Sequence, residues 1–282
     1  MKLLTLLDHL AAVSGPAADG PRRAALARMG RAAASALPAV LATLPAVAAT
    51  KNTSYDTVVQ LLLLERTQQA LYTQALAAPG LLPGALAPNF QRIQRQQNQH
   101  VTFLAQALQN AGAVLPTLPP FDFSGRRGVA TNPVLFPNVL TSFDEFLALA
   151  QELEDLGVRL YKTQIGVIND SQLARAFLRI HAVEAQHSAH VRGLRRSRGV
   201  AVKNWPSETD APIVRPAAAQ VLTAAATGSE NNTAQFLTVG TQLPFVAMLF
   251  LQDSGVRPTS LAEAFDEPVT GATAQAALNL FS

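Results

Sequence analysis

Apolar residues recur at helical spacing along most of the chain, and proline and glycine mark where each run breaks. Near the start, Leu3, Leu4, Leu6, Leu7 and Leu10 surround Asp8 and His9, which predicts a short amphipathic helix over residues 1–13. After an Ala-, Leu- and Val-rich stretch, Ser54 or Asp56 can cap a longer helix that reaches about Ala77. Val58, Val59 and Leu61 to Leu64 make it apolar nearly all round, so Glu65 is expected to be buried. Pro83, Gly84 and Pro88 form a turn, and the next helix runs from about Asn89 to Asn110, ended by Gly112. Its glutamines (Gln91, Gln94, Gln96, Gln97, Gln99) suit a solvated face, but Ile93, Leu104 and Leu108 turn the side of Gln97 and His100 toward a core. Residues 114–142 hold too much proline and glycine for continuous helix. Ser142 then caps a helix through Glu154 and Tyr161, and another begins at Asp170 or Ser171, with Ile180 and Val191 on its apolar stripe and Gly199 after its end. From Val200 the composition shifts to Pro, Ala, Thr and Asn. Leu243 to Leu251 is an apolar run of helical or strand length, and Thr270 caps a last helix over residues 271–281.

This pattern places carboxylates and imidazoles on buried helix faces. Glu184 and His187 stand three residues apart and so share one face. One Glu-x-x-His pair is weak evidence for a metal site, because solvated helices contain it by chance. An internal repeat adds to it. Tyr72 follows Glu65 by seven residues and Tyr161 follows Glu154 by seven, while Gln97-Asn98-Gln99-His100 stands where the first copy would carry its own Glu-x-x-His. The order Glu, x-x-His, Glu, Glu-x-x-His is that of the dinuclear carboxylate bundles, in which two helices each give a Glu and two give a Glu-x-x-His. The candidate metal ligands are Glu65, His100, Glu154, Glu184 and His187, with Gln97, Tyr72 and Tyr161 around them. For a buried Glu65 the alternatives to a metal are a salt bridge to an arginine or a hydrogen bond with Tyr161.

Other polar residues have plainer readings. Asp155 and Arg159 are expected to be an exposed i,i+4 pair, His181 and His190 flanking or surface residues with a supporting role as the alternative, and Trp205 is expected to pack against the bundle end. Asp122 could approach the site, although Phe121 and Phe123 more simply pin the connection that holds them.

The chain resembles ferritin-like domain proteins of the bacterial type related to desiccation-associated proteins. The resemblance covers residues 50–282. Besides the ligand pattern it rests on Pro120-Phe121-Asp122-Phe123, on Gly228-Ser229-Glu230-Asn231-Asn232 and on Ala264-Phe265-Asp266-Glu267-Pro268. It implies an all-α fold: a ferritin-like four-helix bundle with a long crossover between its second and third helices. It also implies a dinuclear centre of iron or manganese. Residues 1–49 would be an N-terminal helix and arm, 50–200 the bundle, and 201–282 an extension packed on it.

Composition narrows the partners. With 282 residues, 49% hydrophobic and 15% charged, a sizeable core is available, and the net charge is only +3. Arg192, Arg195, Arg196 and Arg198 cluster at a helix end, where cations complement the dipole; without interleaved aromatics they predict no nucleic-acid binding. The absence of cysteine removes disulfides, thiolate metal sites and cysteine nucleophiles. Arg22-Arg23, a mild apolar region and Ala46-Val47-Ala48 resemble a twin-arginine export signal, which predicts a periplasmic or extracellular location; a retained cytoplasmic arm is the alternative. Pro38 and Pro45 argue against a transmembrane span there. A homo-oligomer is expected. Two functions follow: a protein with a degenerate dinuclear-type site and a stress, surface or assembly role, or a metal-dependent oxidative enzyme that oxidises iron or disproportionates peroxide. Gln97, neutral where a carboxylate would bridge, favours the first and predicts single or partial metal occupancy.

Overall fold

A computed structural model describes residues 54–118, 120–227 and 267–282. Among these the chain is helical, without strands. Four long helices, α1 (Ser54–Ala77), α2 (Ala87–Asn110), α3 (Phe143–Val167) and α4 (Ser171–Ser197), are followed by a short 3-10 turn (Ala217–Ala219), α5 (Gln220–Thr227) and α6 (Gly271–Leu278). The expected helix over 1–13, the arm, the Leu243 to Leu251 run, the Gly228 to Asn232 motif and Ala264, Phe265 and Asp266 lie outside the described residues.

Helices α1 and α2 pair, α3 and α4 pair, and α1 packs on α3. The inner members are α1 and α3: Leu61, Leu62, Leu64, Leu71, Leu149, Leu156 and Leu160 are fully buried, on more than one face of each helix. The outer members, α2 and α4, bury a stripe (Phe90, Ile93, Leu104, Leu108; Phe177, Ile180, Val191) and present their other faces to solvent. Ends are set by side chains and backbone. Ser142 accepts from the Glu145 N–H, and Asp170 from those of Gln172 and Leu173. Gly199, at φ +90°, supplies the left-handed turn after α4. Helix α2 starts at Ala87, earlier than Asn89, because Pro88 is tolerated in a first turn where its missing N–H would have had no partner.

The crossover is held at its own level. Phe136 stacks on Phe281 with centroids 5.0 Å apart, Phe123 lies 5.5 Å from the same ring, and the Asp122 N–H donates to the Phe281 carbonyl at 2.9 Å. The Asp122 carboxylate accepts from Ser124 and from the Gly128 N–H. It is therefore a loop-closing group and does not enter the bundle.

The expectation for Asp155 and Arg159 is corrected. Asp155 and Arg159 are both buried and do not form the exposed pair: adjacent turns of a helix surrounded on all sides direct them to different neighbours. Asp155 accepts from Ser188 and binds Arg192 at 2.6 Å, while Arg159 donates to the carbonyls of Ala225 and Glu267 and so fastens the C-terminal segments to α3. Arg192, in the arginine cluster toward the end of α4, is 1% exposed and also holds Asp210. Trp205 is half-exposed, with Lys203 over its ring and its carbonyl accepting from Arg192 of α4. No helix among the described residues is long and apolar enough to cross a membrane.

Candidate metal centre

An isolated carboxylate inside a bundle costs several kcal/mol unless partners replace its water. Glu65 on α1, Glu154 on α3 and Glu184 on α4 are all 0% exposed. Phenols meet part of this cost in a crossed pattern: Tyr161 of α3 donates to Glu65 Oε1 at 2.6 Å, and Tyr72 of α1 donates to Glu154 Oε1 at 2.5 Å. Each copy of the repeat thus holds the other's carboxylate, and the second oxygen of each carboxylate is left for the centre.

The centre is made by α2 and α4. His100 Nδ1 lies 3.2 Å from Glu65 Oε2 and 3.4 Å from Glu184 Oε1. His187 Nδ1 lies 3.5 Å from Glu154 Oε2 and 3.5 Å from the same Glu184 Oε1. Gln97 stands between the imidazoles, with Oε1 3.1 Å from His100 Nδ1 and Nε2 3.4 Å from Glu184 Oε1. The outer nitrogen of His187, Nε2, is 2.9 Å from Gln96 Oε1. Donating there orients the ring with Nδ1 facing the carboxylates, as the outer partner of a metal-binding histidine does.

The cluster's charges are strongly coupled. Burial, and then the charge of Glu184, pushes the Glu65 carboxyl up to about 7. Burial and Glu184 do the same to Glu154, also to about 7. Glu184 is the exception: burial opposes its ionisation, yet hydrogen bonds from His100 and His187 outweigh it and hold this carboxyl well below the usual range. Burial likewise opposes protonation of both imidazoles, but their carboxylate partners raise each to about 10. Without a metal, then, the protonated imidazoles serve as the cations.

The residues fit a metal. Two donor groups, Glu65/His100/Glu184 and Glu154/Glu184/His187, each place one ligand atom per residue within 4.8 Å of the others, and Glu184 is common to both. Carboxylate oxygens with imidazole nitrogen suit divalent iron or manganese. All the ligand candidates read from sequence are brought together, as are Gln97, Tyr72 and Tyr161. His181 and His190 remain outside, half-buried.

Two residues at the centre escaped the sequence reading. Gln68, fully buried, donates from Nε2 to Glu184 Oε2 at 2.8 Å and lies 3.3 Å from Glu154 Oε2. Gly157 leaves the space these groups use: a Cβ there would stand 2.6 Å from Glu184 Oε2 and 3.0 Å from Gln68 Nε2. The signal was present, since the interval that carries Glu65 to Glu154 and Tyr72 to Tyr161 also carries Gln68 to Gly157. A large polar residue in one copy faces the missing side chain of the other.

A cavity of about 330 Å³, lined by Asn89, Arg92, Ile93, Gln96, Gln186, His187 and His190, lies between α2 and α4 and reaches the outer edge of His187. Larger hollows, of about 610 Å³ at the crossover and about 660 Å³ near the start of α4, contain no residue of the cluster.

Comparison with known proteins agrees with this geometry. No curated protein matches the chain. The family model of the ferritin-like domain matches residues 54–197, the span from the first residue of α1 to the last of α4. With four helices, a long crossover and a shared Glu–His cluster inside them, the chain belongs to the ferritin-like domain family.

Proposed function

We propose that the protein is a metal-binding member of its family whose dinuclear-type centre has become degenerate, and that it serves a stress, surface or assembly role of the desiccation-associated type, as an exported homo-oligomer. The observation that carries the metal reading is Glu184, a fully buried carboxylate with one oxygen common to two donor groups. The degeneracy rests on Gln97. A fourth carboxylate would bring the charge to that of two divalent cations, and a neutral amide removes one Coulomb partner from a site where each is worth several kcal/mol. Glu65, His100, Glu154, Glu184 and His187 are the residues that would hold iron or manganese. Such an ion, when bound, supplies redox capacity that phenols, amides and carboxylates lack. Around it Tyr72 and Tyr161 orient the outer carboxylates, and Gln96 orients His187.

Elemental analysis of the purified full chain after loading with iron(II) or manganese(II) tests this reading. The expected result is a bound metal in the wild type, at no more than one per chain, and none in Glu184→Gln, which neutralises the shared carboxylate. A wild type without metal refutes it. The exported state rests on Arg22-Arg23 and Ala46-Val47-Ala48, and a mature protein that begins at Met1 in the native host refutes cleavage.

A second reading, an oxidative enzyme, is favoured by the polar cavity that ends on His187, which brings space for a small solute to the outer edge of one candidate ligand. Sustained peroxide disproportionation or iron oxidation by the loaded wild type, lost in Glu184→Gln, would select it.

A further inference from the structure

Side-chain amides make the two halves of the cluster chemically unequal. On the side of α1 and α2, three oxygens surround His100 Nδ1: Gln97 Oε1 at 3.1 Å, Glu65 Oε2 at 3.2 Å and Glu184 Oε1 at 3.4 Å. With the imidazole deprotonated, this half offers lone pairs throughout, two of them on carboxylates, enough to balance one divalent charge.

On the side of α3 and α4 the amides present N–H groups instead. Gln97 Nε2 is 3.5 Å from His187 Nδ1, and Gln68 Nε2 is 3.3 Å from Glu154 Oε2 and 2.8 Å from Glu184 Oε2. These N–H groups turn their positive ends toward the atoms that a second cation would use. Neither amide can be turned round. Gln68 Nε2 faces a third acceptor, the Leu153 carbonyl at 3.1 Å, so reversing it would set oxygen against oxygen at every contact. Reversing Gln97 would set its oxygen against the carboxylate oxygen Glu184 Oε1. Gln68 reaches this position only because Gly157 has no side chain. Its own Oε1, buried without a hydrogen-bond partner, shows that the contacts of Nε2 set its pose.

We propose that the cluster is a mononuclear site for one divalent cation on the α1–α2 side, held by Glu65, Gln97, His100 and Glu184, and that Gln68, seated over Gly157, keeps the Glu154–His187 half closed to a second ion. This rests on the metal-binding reading above and adds which half is used and what excludes the other. Glu154 and His187 then form the neutralised, hydrogen-bonded wall of the site, and Gln68 is a positioning residue that acts through Glu154 and Glu184.

Manganese(II) added to the full chain is the probe, with stoichiometry from elemental analysis after desalting and affinity from calorimetry. The wild type should hold one manganese per chain. His100→Ala should weaken binding at least about tenfold, the lower end of what even an outer partner of a ligand is worth, and clearly more than His187→Ala does. The double variant Gln68→Ala with Gln97→Glu, which removes the N–H groups and restores a carboxylate, should take up two. Should a histidine variant fail to fold, anomalous scattering from manganese in crystals of the wild type locates the ion directly, and it should lie against His100. Manganese against His187, equal losses in the two histidine variants, two ions in the wild type, or one ion in a folded double variant would each overturn the assignment while leaving the metal reading intact. Absence of manganese and iron from the wild type would overturn the metal reading itself.

Discussion

Glutamine and glycine, the residues with least apparent chemistry, determine what the acids and imidazoles of this cluster can do. Gly157 shows this at a single atom. Replacing a mid-helix glycine by alanine normally stabilises by about 1 kcal/mol. Here the new methyl would stand 2.6 Å from Glu184 Oε2, a buried oxygen already engaged by Gln68. The carboxylate must shift, taking with it the Oε1 that both donor groups share. Gly157→Ala is therefore expected to lower metal affinity at least about tenfold, as displacing a supporting contact does, and to give none of the helix-propensity gain in thermal melting. Calorimetric titration with manganese and a melting curve on the same variant check both parts; unchanged affinity would show that Glu184 can yield without cost.

Among the elements, α3 is tied to the most neighbours. It carries Glu154 and Tyr161 into the centre, and through Asp155, Arg159 and Glu152 it fastens α4 and the segments after it. The Asp155–Arg192 pair is buried on both sides, at 1% exposure each. Removing one partner leaves a buried charge undersatisfied, a loss of about 3 kcal/mol or more; Asp210, which also holds Arg192, brings the expectation to the lower end. Asp155→Ala should lower unfolding free energy by about 3 kcal/mol in urea titration. Replacing the pair by apolar residues of similar volume, Asp155→Leu with Arg192→Met, should recover most of that loss. A double variant no better than the single one would mean that the arginine's bonds to the segment around Asp210 matter more than the pair.

Over the whole molecule, the metal-free bundle is expected to be most stable in mild acid. His100 and His187 are raised to about 10, by carboxylate partners that outweigh burial. The folded state therefore binds protons that the unfolded chain has released above about 6.5, and this stabilisation is lost as pH rises toward 10. Glu65 and Glu154, raised to about 7 mainly by burial, act in the same sense: their contribution is complete below the ordinary carboxylate range and is lost as pH passes 7. Glu184, depressed, opposes them, its contribution being complete above the ordinary carboxylate range and lost progressively as pH falls below it. Melting temperature without metal should fall from pH 5 to pH 9. Metal reverses the slope, because binding expels imidazole protons and strengthens as pH rises. Calorimetry in buffers of different ionisation enthalpy should register about one proton or more released per metal at pH 7; no release would contradict protonated imidazoles in the free site.

The sequence by itself determined the four long helices and where the candidate ligands fall on them, because helical periodicity, capping and a repeated Glu–Tyr interval are local patterns that survive in one dimension; the short α5 was not read from it, and the last helix stops at Leu278, short of 281. Ser142, Asp170 and Thr270 cap as their side chains dictate, and a carboxylate on an all-apolar helix such as Glu65 has nowhere to go but inward. Only the tertiary structure decided which polar residues meet. Asp155 is as well spaced for Arg159 as any surface pair, yet neighbours from α4 and from the chain beyond it surround the helix and separate them. Gln68, one of many glutamines in the chain, becomes part of the centre because the opposite helix carries a glycine at the matching place. Such pairings depend on distances between helices, and no spacing along a single helix encodes those.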